Sequence, residues 1–482
     1  MRINLHSIGT VRSLHQETSV TQDDFRQSVV DRASFLEKAG VGPQDMVLIC
    51  HGGTTSFFAD LLAVWWLDAC AVCLNPGLTE EELSRISDLI DPVALLIADD
   101  QPAPNVTGIK ILCPDSESTP ATDTIAPSSS GLDAPAIILF TSGTTGEPKG
   151  VVHTFRSLLA RVALNQQFIG MADMSKSLCP LPTHFGHGLI GNCLTPLLAG
   201  GDLLLISGND IGTVSSLGKI IDEHQITFMS SVPALWKLAT KVSAQPNQKS
   251  LRRLHIGSAP LSADLWNAVS DWAGTPNVVN MYGITETANW LAGASAADQK
   301  PEDGLIGKMW GGFAAILDEA GTVRSTGEGE LLVQSPSVMQ GYFKKPEMTA
   351  EVLRNGWFHT GDIGTISPDG VMRLTGRQKY EINRAGMKVH PEDIDLLLER
   401  HPDITEACAF GIPDEIAGET VGVALVAQSD SDVDIPAIKS WCESRLVKEK
   451  LPEKWFVLDE IPKSDRGKVN RDIVAGKCIG TD

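Results

Sequence analysis

The sequence predicts a layered α/β fold with mostly parallel strands, followed by a second and much smaller α+β domain. Three observations carry this expectation. The 482 residues exceed one ordinary domain. Helix-like and strand-like segments alternate from the start. Near residue 376 the chain changes to a compact run of short strands and helices, about 100 residues long and sufficient for a domain of its own. With 42% apolar and 21% charged residues, the composition is that of a globular enzyme-sized protein.

The elements follow in order. "DDFRQSVVDRASFLEKAGV" has helical spacing and ends at Gly40, and "DMVLICH" is a buried strand. "FFADLLAVWWLDACAVCLNP" (57–76) is the most apolar stretch. Asp60 and Asp68 interrupt it, so a buried helix running into a short strand is expected, with no membrane span. "TEEELSRISDLID" is a helix with an acidic first turn and "VALLIAD" is another strand. A polar loop, "CPDSESTPATDTIAPSSSGLDAP", then leads to the strand "APAIILF" and to "TSGTTGEPKG" (141–150).

A strand, a Gly/Ser/Thr loop and a following helix are a means of holding phosphates. Glycines let backbone N–H groups approach, hydroxyls donate further bonds, and a lysine neutralises charge. The segment is not a Walker A loop, because Lys149 is followed by Gly150 rather than by Ser or Thr.

The net charge of −21 argues against a nucleic-acid partner. A polyanion would have to be bound in a local pocket instead. The N-terminus lacks the apolar core of a signal peptide. The cysteines are scattered apart from Cys70 and Cys73, whose zinc-like spacing lies in an apolar run without a second pair. Buried thiols in a reducing cytoplasm are the expected reading.

Five motifs in order resemble those of the acyl-adenylating (AMP-forming) superfamily: acyl- and aryl-CoA synthetases, nonribosomal peptide adenylation domains and firefly luciferase. They are "TSGTTGEPKG", "MYGITET" (281–287), "GWFHTGD" (356–362), "GRQKYEINRAGMKVHPEDID" and "IPKSDRGKVNRD". "HIGSAPL" and "GELLVQSPSVMQGYF" add weaker matches, and the resemblance runs from about residue 20 to the end. It implies a core over residues 1–376 with ATP and acyl pockets, a hinge at 377–379, and a mobile C-terminal lid over 380–482 with the catalytic lysine.

The implied reaction joins a carboxylate to ATP, giving acyl-adenylate and pyrophosphate, then passes the acyl group to a thiol. Two anions must meet, and Lys468 matches the cation that bridges carboxylate and α-phosphate. Thr285 would hydrogen-bond that phosphate, and Glu286 would hold Mg²⁺. Thr141, Ser142, Gly143, Thr144, Thr145, Gly146 and Lys149 would wrap the outer phosphates. Ser258, Ala259, Pro260, Tyr282 and Gly283 would line the nucleotide, Tyr282 against adenine. Asp362 would accept the ribose hydroxyls, supported by Arg377. Gly386 would line a tunnel for pantetheine, and Lys379 is the hinge position. Tyr380 and Asn383 depart from the residues common at their positions, so thiolation is carried over on fewer matches than adenylation; Arg466 departs from the small residue common in the lysine loop, which bears on loop packing and not on Lys468.

The acyl pocket is implied for Phe185, His187, Gly188, Gly257 and Ile284, with His184 against the carboxylate. "PLPTHFGHGLIGNCLTPLLAGG" holds no acid for an α-amino group, which disfavours amino acids. Its "GHGLIGN" run is similar to that of aryl-CoA ligases, whose glycines open a flat slot, and points to an aromatic or compact acid. His187 either faces that slot or packs behind it. The acceptor stays open between coenzyme A, a carrier protein's phosphopantetheine, and the amine of an amide-forming relative. Lys448, Lys450 and Lys454 suit either of the first two.

Overall fold

Chain entry into the first layer is set by capping. Thr21 accepts from the Asp24 amide and Asp24 reaches back to Thr21, a reciprocal cap that starts the helix Gln22–Lys38. Phe25, Val29, Ala33 and Leu36, spaced three and four apart, are its buried face. They pack on the helix Thr55–Trp66, in which nine consecutive residues, Phe57 to Trp65, are buried. Asp60 sits inside that helix at 1% exposure because Arg32 Nη1, at 2.6 Å, neutralises its carboxylate, and His51 Nε2 lies 2.8 Å from the other oxygen. Helix then strand (Cys70–Cys73) is the expected order for the apolar stretch. Among the described residues no helix is long and apolar enough to cross a membrane, and Cys70 and Cys73 are buried free thiols.

The computed structural model describes residues 4–14, 21–121, 131–141, 149–206, 210–384, 387–414, 418–428, 433–463 and 468–480. Among these, three sheets form. The first runs Gly341–Tyr342, Lys149–Thr154, Pro135–Thr141, Cys70–Cys73, Met46–Ile49, Ala94–Leu96, Lys110–Leu112. Its strands from Pro135–Thr141 onward are parallel, as the helix–strand alternation predicts. The second sheet opens with six parallel strands, Val11–Ser13, Asp202–Leu205, Lys176–Cys179, Phe228–Ser231, Arg253–Gly257 and Val278–Gly283. Antiparallel strands then extend it through Trp357–Ile366 and Met372–Arg377.

One expectation is corrected here. The loop after Pro135–Thr141 does not lead directly into a helix. It returns as the antiparallel strand Lys149–Thr154, and only then does the helix Phe155–Ile169 begin. The β-branched pair Val151 and Val152 pleats easily and is buried on both faces, which favours strand over a helical first turn.

The third sheet lies beyond the single turn Gln378–Tyr380 and contains Ile382–Arg384, Met387–Val389, Ile404–Asp414, Gly418–Ala427 and Lys454–Val457. Helices Pro391–Leu398, Ile435–Glu443 and Arg471–Ile479 cover it around its own apolar clusters. Arg471 ties two of those helices together, at 2.6 Å from Asp395 and 3.3 Å from Glu392. Ion pairs connect this unit to the large sheets: Glu399 with Lys237 (2.7 Å), Arg400 with Asp303, and Lys388 with Glu319 (3.2 Å).

Candidate active site

The parallel neighbours Arg253–Gly257 and Val278–Gly283 end side by side, with Gly257 opposite Met281. Two of the motifs therefore emerge together at the carboxyl ends of parallel strands, where open α/β sheets bind ligands. A register shift at Tyr282/Gly283 loosens the edge, and residues 283–286 are half-buried.

Asp362 is the centre of a three-strand cluster. Tyr282 donates its hydroxyl to Oδ2 at 2.7 Å, and Arg377 Nε meets Oδ1 at 2.7 Å. Arg377 reaches Asp362 because the two are cross-strand partners in the register of Trp357–Ile366 and Met372–Arg377. The carboxylate is 2% exposed, whereas the arginine side chain is 39% exposed. The Asp362 charge raises the Arg377 pKa, and burial raises that of Tyr282 well above its usual value, so the phenol stays a donor.

Glu286 accepts the Tyr342 hydroxyl at 2.8 Å, and Tyr342 lies beside Lys149, whose ammonium is 6.0 Å from the ring centroid. Burial, then the Glu286 charge, raises the Tyr342 pKa. The segment Gly341–Tyr342 pairs with Lys149–Thr154, which fixes Tyr342 over the glutamate. His153, fully buried, is 2.7 Å from the Thr285 carbonyl oxygen through Nε2. Burial pushes its pKa down to about 4, so it is a neutral strut between the two sheets. Thr141 and Lys149 face each other as cross-strand partners at the mouth of the loop.

Around the acyl end, His187 bonds Ser258 and Ser230, and a β-carbon on Gly257 would lie 3.7 Å from its ring. Ser258, expected against the nucleotide, is thus joined to His187, while half-buried Ala259 and exposed Pro260 follow it. His184 is buried, with its ring centroid 4.0 Å from that of half-buried Phe185.

One expectation is corrected. The glycines of "GHGLIGN" do not leave room: a β-carbon on Gly188 would lie 2.1 Å from the Pro182 carbonyl oxygen and one on Gly191 1.9 Å from Asn289 Nδ2. They permit close packing instead. Ile284, half-buried, packs with Val151, Met339 and Phe358, on the Tyr342 side. Lys468 is exposed, just ahead of the helix Arg471–Ile479, and Lys379 pairs with Asp472 of that helix at 2.7 Å. Ser142, Gly143, Thr144, Thr145, Gly146, Gly386 and Arg466 lie outside the described residues.

Tyr342, His153 and Ser230 were not singled out by sequence reasoning. Tyr342 had a signal, since it lies in the matched "GELLVQSPSVMQGYF". Ser230 is a strand residue with no motif around it, and His153 lies just beyond "TSGTTGEPKG" on the strand that begins at Lys149.

Two packed sheets at whose junction these motifs meet, followed by a small α+β unit, define the class of adenylate-forming enzymes. Solved structures agree. ATP-bound MatB from Rhodopseudomonas palustris superposes with a TM-score of 0.88 over 98% of this chain and 96% of its own, at 24% identity. The amide bond synthetase McbA from Marinactinospora thermotolerans gives 0.87 over 98% of both chains at 26% identity.

The chain belongs to the AMP-binding enzyme family. The family's model matches residues 7–343, and that of the AMP-binding enzyme C-terminal domain matches residues 393–468. Its relatives are CoA ligases. They include oxalate–CoA ligase of Arabidopsis thaliana, 30% identical over 93% of this chain and 91% of the relative. Feruloyl-CoA synthase of an Amycolatopsis species is 31% identical over 94% and 93%.

Proposed function

We propose that this protein is an AMP-forming acid–thiol ligase that activates an aromatic or compact carboxylic acid with ATP and Mg²⁺ and transfers it to coenzyme A. The observation that carries the reading is the meeting of Tyr282, Asp362 and Arg377, from three strands and three motifs, on one buried carboxylate. Asp362 keeps lone pairs for two ribose hydroxyls beyond the bonds it already accepts. Tyr282 stacks on the base, and Lys149 with the loop at 141–149 takes the outer phosphates.

Glu286 suits a hard cation. Among the described residues no cluster of three or more His, Cys, Asp or Glu could hold a metal alone. A single carboxylate beside substrate phosphates is a common arrangement for Mg²⁺. When bound, the ion neutralises phosphate charge. Tyr342 orients Glu286, and Lys468 would bring the acid's carboxylate to the α-phosphate. One carboxylate oxygen bonds to the α-phosphorus as its bond to the oxygen bridging to the β-phosphate breaks, and pyrophosphate leaves. In the second step the thiol sulfur bonds to the acyl carbon and AMP leaves.

The test is exchange of labelled pyrophosphate into ATP across a panel of aryl and alkyl acids. Exchange with at least one acid is expected; silence across the panel would refute the reading. Coenzyme A, a phosphopantetheinylated carrier protein and a simple amine, each added to the active acid, then separate the acceptors. Thioester with free coenzyme A is the expected product. The McbA likeness makes an amide the outcome to exclude.

A second expected result concerns Tyr342→Phe, which removes the donor to Glu286 and little else. The Mg²⁺ concentration that half-saturates exchange should rise roughly tenfold, the scale of about 1.5 kcal/mol for one hydrogen bond to a charged group. An unchanged Mg²⁺ dependence would mean that Tyr342 does not position Glu286.

A further inference from the structure

The antiparallel end of the second sheet holds a cavity of about 560 Å³, a size suited to a small molecule. Phe313, Gln334, Ser335, Val338, Leu353 and Trp357 are among its walls, and no described residue lining it carries a charge. It shares no residue with the nucleotide, acyl or lysine positions assigned above. Phe313 stands 70% exposed beside it, opposite Gln334 in the register of Phe313–Leu317 and Gly327–Gln334.

Behind Ser335 lies a positive charge without a counter-charge. Arg161, on the helix Phe155–Ile169, is fully buried, and among the described residues its guanidinium meets no carboxylate. Its partners are Ser337 Oγ (Nε at 3.1 Å and Nη2 at 2.9 Å), Ser335 Oγ (Nη2 at 3.1 Å) and the Trp310 carbonyl oxygen (Nη1 at 3.3 Å). Burial pulls its pKa down to about 10, so the guanidinium is still charged at pH 7. A buried cation is ordinarily paired with an anion.

A guanidinium only donates, and this fixes the direction of every bond that follows. Two Arg161 N–H groups occupy both lone pairs of Ser337 Oγ. The Ser337 hydroxyl must therefore donate, and Ser335 Oγ lies 2.9 Å away. Ser335 then accepts from both Arg161 and Ser337, which leaves its own O–H as a donor at the cavity wall. Reversing this chain would require the arginine to accept. Any acceptor satisfies the outward hydroxyl, but only an anion also supplies the missing counter-charge. A phosphate dianion has more oxygens than one donor can satisfy and would lose its water against apolar walls. A carboxylate brings a single charge, and the rings of Phe313 and Trp357 suit an aromatic body.

We propose that this cavity is a second binding site, for a small aromatic carboxylate held by the Ser335 hydroxyl in front of Arg161. The inference is independent of the adenylation reading.

Crystals of the full chain soaked with 6-bromo-2-naphthoate test it through the anomalous signal of bromine. A bromine peak in this cavity is expected, whether or not another appears at the acyl end. Equilibrium dialysis with 2-naphthoate then measures the affinity, and 2-naphthamide keeps the shape while losing the charge. The amide should bind the cavity roughly tenfold more weakly, the scale of one hydrogen bond to a charged group. Ser335→Ala and Phe313→Ser should each weaken naphthoate binding there by roughly tenfold, with unfolding midpoints within a few degrees of the parent protein. Absence of bromine from the cavity overturns the inference. So does an amide bound as tightly as the acid, or an affinity unmoved by either variant. Arg161 would then be only a clamp between its helix and the Ser335–Ser337 turn.

Discussion

Lys468→Ala should slow acyl-adenylate formation by roughly a hundred- to a thousandfold, the usual loss when one preorganised charge contact to a transition state is removed. The reaction forces a carboxylate against a triphosphate, and the protein's net charge of −21 makes that encounter no easier. A local cation is therefore required, and Lys468 is the one the motif supplies. Its backbone is well anchored: Arg471, three residues on, is nine-tenths buried and bonds the Ala409 carbonyl at 2.7 Å as well as Asp395. The lysine side chain is exposed. A chemically prepared acyl-adenylate supplied to the variant should still give thioester, since the bridge is no longer needed. Single-turnover measurement of both half-reactions checks this. Equal loss in both would refute the assigned role.

The second large effect is expected at the turn Gln378–Tyr380. Lys468 and the loop after Arg384 both belong to the small unit, and each is assigned to a different half-reaction at one site. Rotation about a few torsions at an element boundary would serve both. The ties to be broken are modest, because exposed ion pairs such as Lys237–Glu399 are worth about 0–1 kcal/mol each. Lys379→Pro would fix φ near −65° and restrict the preceding residue as well. Pyrophosphate exchange should persist while thioester formation falls at least a hundredfold. Lys379→Ala, which removes the ion pair to Asp472 and the ammonium over the Tyr380 ring, should change either step by a few-fold at most. Equal loss of both half-reactions in the proline variant would indicate misfolding, and no loss in either would mean that the unit does not turn at residue 379.

Much of the fold was legible because its signals are local. Thr21 with Asp24, and Thr79 with Glu82, mark helix starts through bonds between neighbours in sequence. Buried runs such as "MVLI" and "CAVC" mark parallel strands without reference to the rest of the chain. The strand Lys149–Thr154 was misjudged because a Gly-rich loop is compatible with either a helix or a hairpin, and the choice falls to the sheet edge that Gly341–Tyr342 completes from far along the chain. Gly188 and Gly191 were misread for a similar reason. A sequence shows that a glycine is small, but not whether the space beside it is empty or filled by Pro182 and Asn289.

By itself the sequence determined the family, the order of the phosphate, ribose and lysine motifs, and the change of character near residue 376, since each is written in contiguous residues with specific chemistry. Only the tertiary structure decided which side chains complete those motifs. Tyr342 lies 56 residues from Glu286, His153 lies 132 from Thr285, and Ser258 lies 71 from His187. Each contact exists because strand pairing and the packing of the segments that follow the strands carry two remote side chains to the same few ångströms, and no local pattern records either.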